Sequence, residues 1–109
     1  MADVLGAFEQ AVLLAIIRLR DDAYGRAIVG EVAERLRRDV SIGAVHATLV
    51  RLERKGMLSS RLAPGTVRRA GRRRRFYRVD ARALRALDEA RKSYGQMWRG
   101  IRWPILADA

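Results

Sequence analysis

The sequence predicts a mainly α chain that carries one small β-hairpin and ends on a further helix. Three observations lead there. Apolar residues recur at helical spacing over about residues 5–20, 24–37, 41–55 and 80–102. Between the third and fourth of these stretches lie two short runs that read as strands, separated by Pro64-Gly65 and Gly71. The positive charge is concentrated on that hairpin: eight arginines and no carboxylate lie between Arg61 and Arg78. The whole chain has 23 basic and 12 acidic residues, a net charge of +11, so without those eight it would be 15 against 12, or +3.

In the first stretch Leu5, Phe8, Val12, Ile16 and Leu19 form one stripe that Leu13 and Ile17 extend. With Ala7, Ala11, Leu14 and Ala15 much of the circumference is apolar, which predicts burial on more than one side. Asp21 and Asp22 break the pattern and are expected to cap the second helix, Tyr24 to Arg37, which carries Ile28, Val32 and Leu36. After the polar turn Arg37-Arg38-Asp39, Ser41 is the expected N-cap of a third helix reaching Lys55. Gly56 fits the left-handed position just past its end. Ile42, Val45, Leu49 and Leu52 form its apolar stripe, and Gly43, Ala44 and Ala47 give the opposite face small side chains that allow close approach to another surface.

The strands are expected over Leu58 to Leu62 and from Arg72 to Arg78, with Phe76 and Tyr77 on opposite faces. Asp80 is the expected cap of a last helix reaching about Arg102. Leu87, Ala90, Tyr94, Met97 and Ile101 make its stripe, widened by Leu84 and Trp98, and Gly95 and Gly100 fall inside it. A short link between the second and third helices followed by a basic hairpin has the form of a winged helix-turn-helix. In that arrangement the third helix enters the major groove and the hairpin follows the backbone or the adjacent minor groove.

A chain of 109 residues is one domain, and its 50% hydrophobic content argues against disorder. With no cysteine there is no disulfide, thiolate metal site or cysteine nucleophile. His46 is the only histidine, so no metal, cofactor or catalytic set is expected and an enzyme is the weakest reading. No apolar run reaches the roughly 18 residues of a membrane span. With no basic region ahead of the first apolar stretch, the expected location is the cytoplasm. No internal repeat is visible.

With these residues placed, the chain resembles the PadR-like transcriptional regulators. The resemblance rests on Leu5 to Glu9 with Val12 to Ile16 behind it, on Ala23-Tyr24-Gly25 with Ile28, and on Val40 to Val45. It continues through Thr48-Leu49, Arg51 to Gly56 and Gly71 to Tyr77. It covers roughly residues 5–79 in order and implies a dimeric repressor of the smaller, single-C-terminal-helix type. His46 stands where such proteins usually have tyrosine in the recognition helix. Asp80 and Ala83 replace their usual threonine and glycine.

The expected organisation is a DNA-binding unit over residues 1–79, its wing at about 58–79, and a dimerisation helix with a short tail over 80–109. The expected DNA contacts are Ser41, Gly43, Ala44, His46, Ala47, Thr48 and Arg51 on the helix, with Arg69, Arg72, Arg73 and Arg74 on the wing. The expected homodimer interface is Leu5, Phe8 and Val12 with Leu87, Tyr94, Met97, Trp98 and Ile101, because the last helix follows a complete domain with its apolar side uncovered. The resemblance implies a small aromatic or hydrophobic effector between the units, and Phe8, Tyr94 and Trp98 are the candidate pocket, since flat rings sandwich flat ligands. The partner is then double-stranded DNA with an inverted-repeat operator. The rival reading is a basic RNA-binding or nucleoid-associated protein without an effector.

Overall fold

The computed structural model describes residues 4–104; residues 1–3 and 105–109, which include the end of the expected tail, lie outside the described residues. Its order is α1 (Ala7–Leu19), α2 (Gly25–Leu36), α3 (Ile42–Arg54), β1 (Leu58–Ala63), β2 (Arg74–Val79) and α4 (Ala81–Trp98). Three-residue 3-10 turns follow α1 and interrupt the β1–β2 loop.

α1 starts at Gly6, whose backbone N–H donates to Glu9 Oε1 at 3.1 Å. Val12, Leu13 and Ile16 bury one side of it in the chain's own core. Asp21 and Asp22 do not cap α2: they sit in the 3-10 turn, and the N-cap position is Tyr24, which makes no side-chain cap bond. The backbone there is extended because it pairs with the hairpin, through a Tyr24–Phe76 bridge and a Tyr77 N–H that donates to the Ala23 carbonyl at 2.8 Å.

α3 is capped as expected, with Ser41 Oγ accepting from the Ala44 N–H at 3.0 Å, and Gly56 closes it at φ +75°. Val45, Leu49 and Leu52 are buried, but Ile42 is 55% exposed. Ile42 sits in the first turn of α3, with its side chain beside Gly25 at the start of α2. Leu36, likewise expected in the α2 stripe, is exposed at that helix's last turn.

β1 and β2 pair antiparallel from Leu58↔Val79 to Ala63↔Arg74. β2 is shorter than expected, because Arg72 and Arg73 belong to the loop. The loop curls on itself: the Arg69 guanidinium donates to the Pro64 and Arg72 carbonyls, and Arg72 Nε donates back to the Arg69 carbonyl at 3.0 Å. Gly65 is required there, since a Cβ on it would fall 2.0 Å from the Gly71 carbonyl oxygen.

Asp80 occupies the N-cap of α4, but its carboxylate caps nothing; it accepts from Ser59 Oγ at 3.1 Å across the root of the wing. α4 ends at Trp98, short of Arg102, and Gly100 lies past that end at φ +82°. Ala83 and Ala86 pack into the same core as α1, α2, α3 and Leu58. The first turns of α4 are thus part of the winged body, and its later turns leave that body, giving extents of 60 × 32 × 21 Å.

Candidate nucleic-acid interface

α3 turns two faces in opposite directions. Ser41, Gly43, Ala44, His46 and Ala47 are exposed, and at Gly43, Ala44 and Ala47 this face carries nothing larger than a methyl group. Thr48 is not on this surface. It is 2% exposed, and its hydroxyl donates to the Ala44 carbonyl at 2.9 Å, the back-bond that lets a threonine be buried inside a helix.

Arg51 is also partly turned away from the expected surface. Its guanidinium donates to Thr48 Oγ1 at 3.2 Å and lies 3.8 Å from Glu9 Oε2. Glu9 is the one buried acid among the described residues, and Lys55 Nζ donates to it at 3.1 Å. Burial alone would push the Glu9 carboxyl up; the Gly6 N–H, Lys55 and Arg51 together hold it below the usual carboxylate range. This cluster fixes the C-terminal end of α3 against α1.

The wing carries its arginines in four settings. On one face of the hairpin the Arg74 guanidinium lies 3.7 Å from the Tyr24 ring centroid and that of Arg61 lies 5.0 Å from the Phe76 centroid. On the other face Arg75 donates to Ser60 Oγ at 2.9 Å, and Ser60 Oγ donates to Glu53 at 2.9 Å. Tyr77 shares that face and packs on the core, where burial pushes its phenol up. In the loop Arg69 and Arg72 hold the turn closed. Arg68, Arg73 and Arg78 are exposed and make no hydrogen bond, ion pair or ring contact among the described residues. Among the described residues no ion pair neutralises any of the eight.

The structure therefore brings Ser41, Gly43, Ala44, His46 and Ala47 onto one surface and leaves Arg73 open. Arg69 and Arg72 have a loop-closing role that spacing could not show. Sequence reasoning passed over Arg68 and Tyr24. Arg68 was visible only as one charge among eight. Tyr24 meets Arg74 through a bridge some fifty positions away, for which no local pattern exists.

No protein-family model matches the chain, and no curated protein matches it. Among solved structures, a PadR family transcriptional regulator from Eggerthella lenta DSM 2243 is 28% identical, over 83% of this chain and 76% of that one, with a TM-score of 0.66. The chain has the PadR-like winged-helix fold. A PadR-like transcriptional regulator from Bacillus cereus strain ATCC 14579 shares the fold at TM-score 0.68 with 22% identity, over 84% of each chain. A PadR-like transcription factor from Bacteroides fragilis does so at TM-score 0.67 with 22% identity, over 83% of this chain and 82% of that one. These neighbours are transcription factors, not enzymes.

The PadR-like fold leaves α4 largely uncovered. Tyr94 is 62% and Met97 73% exposed, and Leu84, Trp98, Ile101 and Trp103 are exposed with them. On α1 the residues expected at an interface divide differently from the sequence reading. Val12 has no exposed surface and Leu5 almost none, so both belong to the chain's own core, and the outward apolar residues are Leu14 and Ile17. The expected pocket residues do not meet within one chain. Phe8 packs on the core, and Trp98 stands edge-on to Trp103 at 6.2 Å. Tyr94 lines a groove of about 290 Å³ with Val4, Leu5, Ala86, Ala90 and Met97. Among the described residues no helix is long and apolar enough to cross a membrane, and no group of acids and histidine could hold a metal ion.

Proposed function

We propose that the chain is a sequence-specific double-stranded DNA-binding transcriptional repressor, acting as a homodimer on an inverted-repeat operator and released by a small aromatic or hydrophobic effector. The observation that carries the reading is the pairing of two surfaces. The exposed small-residue face of α3 suits close approach to base edges. The adjacent wing holds eight arginines that no carboxylate neutralises among the described residues. Such a surface gains affinity by replacing condensed counterions on phosphates. The regulator role is the one carried by the Eggerthella lenta neighbour.

Residues 1–79 supply the DNA-binding unit in this reading, and residues 80–109 the dimerisation arm. Tyr94, Met97 and Trp98 of α4, with Ile101 just past its end and the half-buried Leu87, meet their counterparts and the exposed Leu14 and Ile17 of α1, with the half-buried Phe8 at the edge. Two such arms bring Tyr94, Trp98 and Phe8 of both copies around one axis, which is where a flat effector is held. The chain acts in the cytoplasm.

Single-stranded RNA recognition is disfavoured by the state of the aromatics. Phe76 and Tyr24 are already covered by guanidinium groups and Tyr77 packs on the core, so the wing has no free ring for base stacking. Fluorescence anisotropy with a duplex DNA and a single-stranded RNA of equal length and label tests this directly. The duplex is expected to bind more tightly at the same salt; equal or stronger RNA binding would overturn the proposal.

A further inference from the structure

Four side chains stack along one face of the hairpin. The Arg74 guanidinium lies over the Tyr24 ring at 3.7 Å, Tyr24 meets Phe76 edge-to-face at 5.8 Å, and the Arg61 guanidinium lies 5.0 Å from the Phe76 centroid. Period two places Arg74 and Phe76 on the same side of β2, and the register sets Arg61 directly across from Phe76. Tyr24 comes from elsewhere: it is the N-cap residue of α2, tied to β2 by its bridge to Phe76 and by the Tyr77 N–H to Ala23 carbonyl bond. One ring thus joins the helix-turn-helix to the wing.

Arg74 is half-buried, yet its guanidinium makes no hydrogen bond or ion pair among the described residues. None of its nitrogens is sealed from solvent either. A guanidinium at stacking distance from a ring uses its flat face there and keeps the N–H donors at its edge. A cation held in one orientation, partly stripped of water and with its donors unused is arranged for an oxygen anion that arrives from outside.

We infer that Tyr24 is a positioning residue for nucleic-acid binding: its ring holds the Arg74 guanidinium so that the donor edge takes one phosphate of the DNA backbone. This rests on the DNA-binding function proposed above and adds to it a residue outside the recognition helix and outside the wing. Ordering Arg74 in advance removes the entropy cost of fixing a long side chain at the moment of binding. Because Tyr24 also opens α2, the phosphate so held sets the angle between wing and helices on the duplex.

The test uses the full chain and a fluorescein-labelled duplex of mixed sequence, titrated over a range of salt concentrations. Arg74→Ala is expected to flatten the dependence of log K on log salt by about 0.9, and to weaken binding about eightfold at 0.1 M salt. Tyr24→Leu is expected to do nearly the same, Tyr24→Phe to behave as the wild type, and Tyr24→Leu with Arg74→Ala to add little to either alone. Arg74→Lys keeps the charge but not the flat stack, and being on the wing it leaves the core intact. It is expected to lose most of the affinity that alanine loses. Wild-type behaviour of Arg74→Lys, an unchanged salt slope in Tyr24→Leu, or independent additive losses would each overturn the role of Tyr24 while leaving DNA binding standing. A wild-type chain that binds no duplex would overturn both.

Discussion

Lys55 Nζ donates to Glu9 Oε2 at 3.1 Å and so ties the C-terminal end of α3 to the first turn of α1 across 46 positions of sequence. The Glu9 carboxyl is held below its ordinary value of 4.5 in the folded chain. A carboxylate so depressed contributes stability that is fully present above the unfolded value and is lost as pH falls through the folded one. Thermal melts should therefore show stability falling as pH drops below about 4.5, with part of that slope absent in Glu9→Gln. At neutral pH the substitution should cost about 1–3 kcal/mol, since it leaves two cations facing a neutral amide. Equal pH profiles for the two chains would remove Glu9 from the coupling of α1 to α3.

The exposed face of α3 makes a steric prediction. Ala47→Leu should fold with an unchanged melting temperature and bind its operator about tenfold or more weakly, a loss of at least ~1.4 kcal/mol. Normal operator binding by this variant would show that another face enters the groove. His46→Tyr, which restores the residue usual in PadR-like proteins, should bind at least as tightly as the wild type.

On the wing, Arg68 and Arg73 have no partner among the described residues, so their replacement should not disturb the loop. The double change to alanine should weaken binding to all duplexes alike and lower the salt slope by about 1.8, the value for two lost phosphate contacts. An unchanged slope would move both side chains off the backbone.

Gly65→Ala places a methyl group 2.0 Å from the Gly71 carbonyl oxygen and must open the loop. The core is remote from this contact. Trypsin should therefore cut the arginine-rich loop faster while the melting temperature moves little. Unaltered cleavage would mean that the loop closes by another route.

Much of this arrangement was legible in the sequence where one residue's neighbours on the same helix decide its role. Ser41 caps α3, and Val45, Leu49 and Leu52 are buried, because spacing alone fixes both. The misreadings involve what a helical period cannot show: partners brought from a distance, the edge of the core and a side chain turned back on its own helix. Asp80 was expected to cap α4, but the hairpin delivers Ser59 to its carboxylate. Ile42 follows the right spacing but lies beyond the rim of the core. Thr48 looks like a surface residue until its hydroxyl is seen to bond the Ala44 carbonyl. Leu5 and Val12 looked available to a second subunit because a period cannot say which of two apolar sides the chain covers itself. The pairing of Tyr24 with the wing has no local signal, since the strand it meets begins far downstream.

The exposed apolar side of α4 predicts association. In high salt at low micromolar concentration, sedimentation should give a two-fold dimer. Because Ala83 and Ala86 belong to the core, a chain ended at Lys92 should keep the winged body and lose the dimer. It should also bind DNA poorly, because two linked half-sites bind far more tightly than one. A monomeric full chain would remove the paired operator and the pocket between copies.

The most direct test of the central claim, that α3 and the wing read duplex sequence, is selection of bound duplexes from a random DNA pool with the full chain. The account predicts enrichment of an inverted repeat whose half-sites lie about 10 base pairs apart, centre to centre, or a multiple of that spacing. A pool that binds without enriching any sequence would contradict it, and would leave a basic protein that holds nucleic acid by charge alone.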